Sequence, residues 1–120
     1  MSRMVTAPVG FEEEVLADFR NASVECVAGV DFLLEELAAQ DPDPDERCGL
    51  LALRFELYAL RIPGCPRWRL LLSIERFAEP ALQPCRIHGL APALARPCDL
   101  LRPRAERHLR LINPVWEPAR

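Results

Sequence analysis

Residues 50–77 read LLALRFELYALRIPGCPRWRLLLSIERF, and this stretch decides the fold class. Apolar and polar side chains alternate on both sides of the central Pro-Gly-Cys-Pro segment, as Phe55, Glu56 and Leu57 illustrate. After the turn, the alternating apolar positions are Trp68, Leu70, Leu72 and Ile74. Such a period of two is typical of a strand. The pattern therefore allows a β-hairpin formed by residues 50–62 and 67–77.

The amino-acid composition of the same region favours helix instead. Residues 41–114 contain no Val, no Thr and only four Ile, whereas strands prefer β-branched and aromatic residues. Asp43 is a suitable helix N-cap, and Pro44 suits the first helical position. We therefore predict a mainly α fold with a helix over 44–61, and the composition leaves 67–78 undecided. An α+β fold, with an N-terminal helix on a small antiparallel sheet, stays open as the alternative.

Residues 11–40 show the clearest helical period in the chain. Apolar residues recur every three or four positions, and acidic residues fill most of the positions between them. The series of apolar residues is Phe11, Val15, Phe19, Ala22, Cys26, Val30, Leu33 and Leu37. Asn21, Ser23 and Gly29 are weak helix formers. We expect either two shorter helices or one long helix that projects into a partner.

The length of 120 residues predicts a single domain over 1–120. We expect residues 1–10 to be flexible and to carry no secretory signal, because they lack an apolar stretch. Residues 80–120 contain seven prolines, a spacing that predicts short helical pieces such as 90–95 and 104–112. This proline-rich segment is expected to pack on the body of the domain. No stretch is apolar enough to cross a membrane.

The two halves of the chain carry opposite charge. Residues 1–60 contain 13 acidic residues and 4 Arg, whereas residues 61–120 contain 5 acidic residues and 11 Arg. The chain has no Lys. We expect the two halves to pair with each other within one molecule, and the remaining asymmetry to orient a partner.

The five cysteines and two histidines are the candidates for metal binding. An odd number of scattered cysteines predicts reduced thiols and a cytoplasmic location, with Cys26 and Cys48 buried as small apolar residues. Thiolate and imidazole are the ligands that zinc prefers. A zinc site would use Cys85, His88, Cys98 and His108. Zinc is thus the one cofactor that the sequence suggests, and we expect none.

Catalytic and nucleotide-binding patterns are weak. Cys85 or Cys98 could pair with His88 or His108 for acyl chemistry, but no motif orients such a pair. The five glycines form no phosphate-binding loop. A basic patch that could contact nucleic acid consists of Arg102, Arg104, Arg107 and Arg110. Trp68, between Arg67 and Arg69, could add a stacking surface.

These observations favour a small accessory or adaptor protein that acts by binding another protein, or a second copy of itself, and has no catalytic activity. Helices dock in grooves through apolar residues spaced by three or four. The predicted partner-binding residues are Phe19, Val30, Leu33, Leu37 and Trp68. The alternative is a zinc- or nucleic-acid-binding regulator that uses the C-terminal half.

Overall fold

The computed structural model of the chain describes residues 4–52, 54–76, 83–94 and 96–112. These residues form an α+β fold with a five-stranded mixed sheet. The strands are β1 (Val5–Thr6), β2 (Arg47–Ala52), β3 (Phe55–Ile62), β4 (Cys65–Glu75) and β5 (Cys85–Pro92). The helices are α1 (Glu12–Arg20), α2 (Val24–Ala39) and α3 (Pro97–Ile112), with a 3₁₀ turn at Pro44–Glu46.

The strand order across the sheet is β1-β5-β4-β3-β2. Strand β1 is parallel to β5, and the other neighbours are antiparallel. Helices α1 and α2 pack on one face of the sheet and α3 on the other, so the core has two layers of side chains. No helix within the described ranges has the length and apolarity that a bilayer span requires.

The predicted mainly α fold is wrong, and so is the predicted helix over 44–61. The alternative gave the right class, and the hairpin it proposed is formed by β3 and β4. The sheet, however, is larger than expected and contains one parallel pair. Both faces of the central strands are covered, so apolar side chains such as Leu70, Leu71 and Leu72 are all buried. The alternation that allowed the hairpin was therefore the correct signal. The shortage of Val, Thr and Ile was misleading, because Leu fills strands that helices cover on both faces.

The helix N-cap predicted at Asp43 begins only a short 3₁₀ turn and not a long helix. The Asp43 side chain accepts a hydrogen bond from the Asp45 N–H and caps the 3₁₀ turn, which ends after three residues. The interruption predicted near Asn21 is confirmed, because the acidic segment forms two helices. Ser23 caps α2 by accepting a hydrogen bond from the Cys26 N–H. The segment is therefore a pair of packed helices rather than one projecting helix.

The C-terminal segment contains more regular structure than its prolines predicted. Helix α3 has 16 residues and continues through Pro103, where only short pieces were expected. Proline removes one backbone donor from a helix, and the burial of Leu101, Ala105 and Leu109 against the sheet compensates for that loss. Residues 80–82, 95 and 113–120 of the predicted wrap, and residue 77 of the predicted hairpin, lie outside the described residues.

Two of the five cysteines are bonded to each other. A disulfide joins Cys48 on β2 to Cys98 on α3 and spans 50 residues of sequence. The expectation of reduced thiols, and of a buried free Cys48, is therefore wrong for this pair. Cys26, Cys65 and Cys85 are free and buried, as expected for Cys26. Burial and the contact with Cys65 raise the pKa of Cys26 to about 12, which makes its thiol a poor nucleophile.

The cysteine pairing predicts the number of reactive thiols. When the chain is unfolded in denaturant without reductant, iodoacetamide should label three cysteines, and with reductant it should label all five. Intact-protein mass spectrometry gives both numbers. The Cys48→Ser/Cys98→Ser variant should be labelled three times under both conditions. Labelling of five cysteines in the unreduced protein would show that Cys48 and Cys98 are free.

Helix α2 approaches the β3–β4 turn closely at Gly29. A Cβ atom at this position would overlap the carbonyl oxygen of Pro63 and the side chain of Ile62. Backbone cannot move away as a flexible side chain can. Gly29 therefore lets α2 lie directly on the hairpin, although glycine is a weak helix former.

Replacement of Gly29 tests this close approach. We expect Gly29→Ala to lower the free energy of unfolding by about 1–3 kcal/mol, because the added methyl overpacks the contact. Ala28→Ser, on the exposed neighbouring position, should change it by no more than about 0.5 kcal/mol. Urea unfolding followed by circular dichroism measures both variants. A Gly29→Ala protein as stable as the wild type would contradict the packing described here.

Candidate functional site

Helix α1 covers the edge of β5 where β1 ends. Strand β1 pairs only with Cys85 and Arg86, so the rest of the β5 edge needs another partner. The Asp18 carboxylate supplies it by accepting a hydrogen bond of 2.9 Å from the Leu90 N–H. The same oxygen accepts a bond of 2.7 Å from Arg104 on α3. One carboxylate thus connects a helix from each face to the sheet edge.

The predicted basic patch is largely neutralised within the chain. Arg104 pairs with Asp18 and Glu14, and Arg107 also pairs with Glu14. Arg102 donates to the Leu50 carbonyl and lies near Glu106. Arg110 is exposed and has further contacts. Pairing between the two halves of the chain is confirmed, and these arginines are not an open surface for phosphate.

A chain of buried polar groups lies between the sheet and α3. Ser73 Oγ is 2.7 Å from His88 Nε2, and His88 Nδ1 is 3.0 Å from His108 Nδ1. His108 Nε2 lies 3.3 Å from Glu14 Oε1, although it forms no hydrogen bond with any described residue. The Ser73, His88 and His108 side chains are fully buried. Phe11 covers the His108 ring at a centroid distance of 4.3 Å.

The direction of hydrogen bonding in this chain follows from its anionic end. Partial burial raises the pKa of Glu14, but hydrogen bonding to Arg107 and the charge of Arg107 outweigh it, so the pKa is lowered and Glu14 is ionised at neutral pH. We assign the proton of neutral His108 to Nε2, which faces Glu14. His108 Nδ1 then accepts from His88 Nδ1–H, and His88 Nε2 accepts from the Ser73 hydroxyl. Ser73, His88 and His108 thus each direct a proton toward the Glu14 end of this series.

The serine and histidine geometry resembles a nucleophile next to a base, but its position prevents that role. Ser73 has no solvent exposure and lies in the middle of β4 beneath α3, so a substrate cannot reach it in this structure. Burial lowers the pKa of both His88 and His108, and the arginines nearby lower it further, although Glu14 partly opposes this at His108. This series of buried polar groups contains neutral histidines and stabilises the packing of α3.

The four candidate zinc ligands do not meet. Cys85 and His88 are three residues apart on β5, so their side chains point to opposite faces of the sheet. Cys98 is bonded to Cys48, and His108 contacts His88. Among the described residues, no group of three or more His, Cys, Asp or Glu side chains could hold a metal ion. The same separation removes the Cys–His pairs considered for acyl chemistry.

Four of the five predicted partner-binding residues face the protein's own core. Val30 and Leu37 are buried, and Phe19 and Leu33 are partly buried against the same cluster. A helical period indicates which residues share a face but not what covers that face. Trp68, near the start of β4, is also partly buried against this cluster, but it lines a surface groove as well.

Trp68 contributes to an open groove of about 610 Å³, which we call the Trp68 groove. Residues 66–69 at the start of β4 and 92–94 after β5 form it. The Ala93 N–H donates to the Arg67 carbonyl at 2.8 Å, which joins the two sides. The lining is mainly apolar, with Pro66, Pro92 and a fully exposed Leu94. Arg67 is exposed beside it.

The guanidinium groups around this groove form no ion pair among the described residues, although the Glu46 carboxylate accepts a hydrogen bond from the Arg61 backbone N–H. Arg61 and Arg69 are direct cross-strand neighbours on β3 and β4. Like charges in that arrangement repel each other. Arg67 is two residues from Arg69 and projects from the same face of β4. Arg69 donates only weakly to nearby backbone carbonyls. This end of the hairpin therefore attracts an anionic group.

The outer face of α2 has the opposite character. Val24 is 83% exposed and Phe32 is 54% exposed, although both are large apolar side chains. The exposed acids of the same helix form no ion pair within the described residues; they are Glu25, Asp31, Glu35 and Glu36. Because positions three or four apart are neighbours on a helix, Phe32 and Glu35 are adjacent. We call this surface the α2 outer face.

Sequence reasoning missed two of these features. The α2 outer face lies opposite the apolar series that the helical period emphasised, and its signal was the presence of Val24 and Phe32 outside that series. The polar chain had no local signal. Ser73, His88 and His108 come from three separate elements, and only the fold brings them together.

Comparisons of the chain with protein-family models, curated proteins and solved structures give no match. The Trp68 groove, the α2 outer face and the buried polar groups are therefore the features that bear on function.

The buried histidines predict that mild acid destabilises the fold. Their pKa values lie below the 6.5 of a free histidine, so the unfolded chain binds more protons below that pH. Stability is complete above pH 6.5 and falls by up to about 1.4 kcal/mol per pH unit for each histidine as the pH decreases toward 5. Urea unfolding between pH 5 and 8 measures this slope.

Two variants separate the histidines from other groups. His108→Gln should reduce the slope between pH 6.5 and 5, because one titrating group is lost. Ser73→Ala keeps both histidines and should keep most of the slope. Glu14 titrates lower, since its pKa is below 4.5, and does not contribute in this range. A wild-type stability independent of pH between 5 and 8 would contradict neutral, buried histidines.

Proposed function

We propose that this chain is a small protein-binding module without catalytic activity of its own, and that the Trp68 groove receives an acidic segment with apolar side chains. The observation that carries the proposal is the arrangement of Arg61 and Arg69. They face each other across two strands, and neither guanidinium group forms an ion pair among the described residues, although the Glu46 carboxylate accepts a hydrogen bond from the Arg61 backbone N–H. The pair lies beside an apolar groove. An anionic partner relieves that repulsion.

The two parts of the surface make different contributions to binding. Burial of exposed apolar area at Trp68 and Leu94 supplies affinity, at about 25 cal/mol per Å² of surface removed from water. The arginines supply orientation and a faster association rate. Arg and Trp are also the residue types most enriched among the strongest contributors to protein interfaces. An acidic amphipathic helix or strand satisfies both parts.

Nucleic acid is the competing ligand, because arginines beside an aromatic ring also suit single strands. Two observations favour protein. Most of the groove lining is aliphatic or proline rather than aromatic, and the arginines predicted for phosphate contact on α3 are paired with acids. Zinc is not proposed again, because its four candidate ligands are apart.

Fluorescence of Trp68 tests the proposal directly. In a Trp116→Phe background, Trp68 is the only tryptophan. We expect a saturable change with an acidic peptide that carries Leu and Phe at helical spacing, and none with the peptide in which every Glu is Lys. Arg67→Glu should weaken binding at least about tenfold. Arg110→Glu, an equal charge change on α3, should alter it by less than about twofold.

Three outcomes would contradict this assignment. They are equal binding of both peptides, unchanged affinity after Arg67→Glu, and tighter binding of a single-stranded oligonucleotide whose affinity falls steeply with salt. The last result would support the nucleic-acid alternative at the same groove.

The cytoplasmic location stays a prediction within this proposal. The three free, buried thiols agree with it. The Cys48–Cys98 bond weighs against it, because disulfides are rare in the reducing cytosol. The groove and the α2 outer face do not include either bonded cysteine.

A further inference from the structure

We infer that the segment bound in the Trp68 groove is the α2 outer face of a second copy of this chain. The inference depends on the proposed function and identifies its partner. The groove needs an acidic, apolar segment, and α2 is a regular 16-residue helix that presents one. The chain thus carries both halves of a complementary contact on separate parts of its surface.

Both the α2 outer face and the Trp68 groove expose large apolar side chains. Phe32 and Val24 project from α2 while its opposite face, including Cys26 and Val30, is buried in the core. The helix is therefore fixed in place before it binds, and little conformational entropy is lost on docking. The groove offers Trp68 and Leu94 as the matching apolar surface.

The acids of the α2 outer face and the arginines beside the Trp68 groove have opposite charge, and neither set forms ion pairs among the described residues. Several acids elsewhere in the chain are paired internally: Glu14 and Asp18 pair with α3, and Glu56 and Asp41 pair with Arg76. The acids of the α2 outer face form no ion pair within the described ranges. The same holds for Arg61, Arg67 and Arg69. The charges that the fold leaves unpaired are thus of opposite sign at the two proposed contact surfaces.

The contact joins two different surfaces, because one copy contributes the helix and the other contributes the groove; it is isologous if two copies exchange both contacts and heterologous if copies add head to tail. Two copies close into a dimer if both contacts form at once, and otherwise further copies add. In either case, removal of the groove from one copy and of the helix from another leaves one intact contact between them. This property distinguishes the proposed interface from one in which two α2 helices meet each other.

Complementation between two variants tests the inference. Sedimentation velocity of the wild type should show a mass above 13.6 kDa that increases with protein concentration. Arg67→Glu should prevent binding by the Trp68 groove, and Phe32→Glu should prevent binding by the α2 outer face. Each variant alone should therefore sediment as a monomer. An equimolar mixture should form a one-to-one complex. Glu12→Lys, on an exposed position of α1, is the control and should associate as the wild type does.

Both substituted side chains are exposed, so circular dichroism should match the wild type, and thermal unfolding should match at concentrations where the wild type is monomeric. A second pair avoids any effect on folding by exchanging charge: Glu35→Arg alone should weaken association at least about tenfold, and combination with Arg67→Glu should restore part of it.

A wild type that stays monomeric at the highest soluble concentration overturns the inference, and so does association that survives both Arg67→Glu and Phe32→Glu. If the monomer still binds the acidic peptide in the fluorescence experiment, the proposed function stands and only the identity of the partner is wrong. If it binds no acidic peptide, both are wrong.

Discussion

The arrangement of the helices on the two faces of the sheet depends on the contacts of the Asp18 carboxylate. This carboxylate completes the hydrogen bonding of the β5 edge at Leu90 and pairs with Arg104, so α1, the sheet and α3 meet at one group. Gly89 makes the meeting possible, since a Cβ there would overlap the carboxylate of Asp18 and the guanidinium of Arg104. Without this contact, an edge strand with unpaired amides would be exposed to other chains.

The same pairing determines which charges stay available. Glu14 and Asp18 use the arginines of α3, and Glu56 and Asp41 use Arg76. A chain with a strongly divided charge therefore becomes neutral over much of its surface. Exposed charges without an ion pair among the described residues include the arginines at the β3–β4 hairpin and the acids of α2, and both of these surfaces also expose large apolar side chains. That coincidence is the basis for the proposed binding role.

The polar chain from Ser73 to Glu14 has a different role. Buried hydrogen-bonded side chains restrict how the elements pack. Hydrogen bonds connect Ser73 on β4, His88 on β5 and His108 on α3, and His108 Nε2 approaches Glu14 on α1 without forming a hydrogen bond. Both histidines stay neutral because a second proton in a buried, arginine-rich surrounding is unfavourable.

The sequence by itself determined the two acidic helices with their interruption near Ser23, the hairpin as one of two alternatives, and the pairing of acidic and basic halves. These features depend on local periods, caps and total charge. Tertiary structure decided that the hairpin is correct, because helices cover both faces of the sheet and bury leucine-rich strands whose composition by itself favours helix. It also decided that Val30 and Leu37 face the core, that Cys85 and His88 point apart, and that Cys48 meets Cys98. Each of these depends on which distant element covers a given face, and no local pattern of residues contains that information.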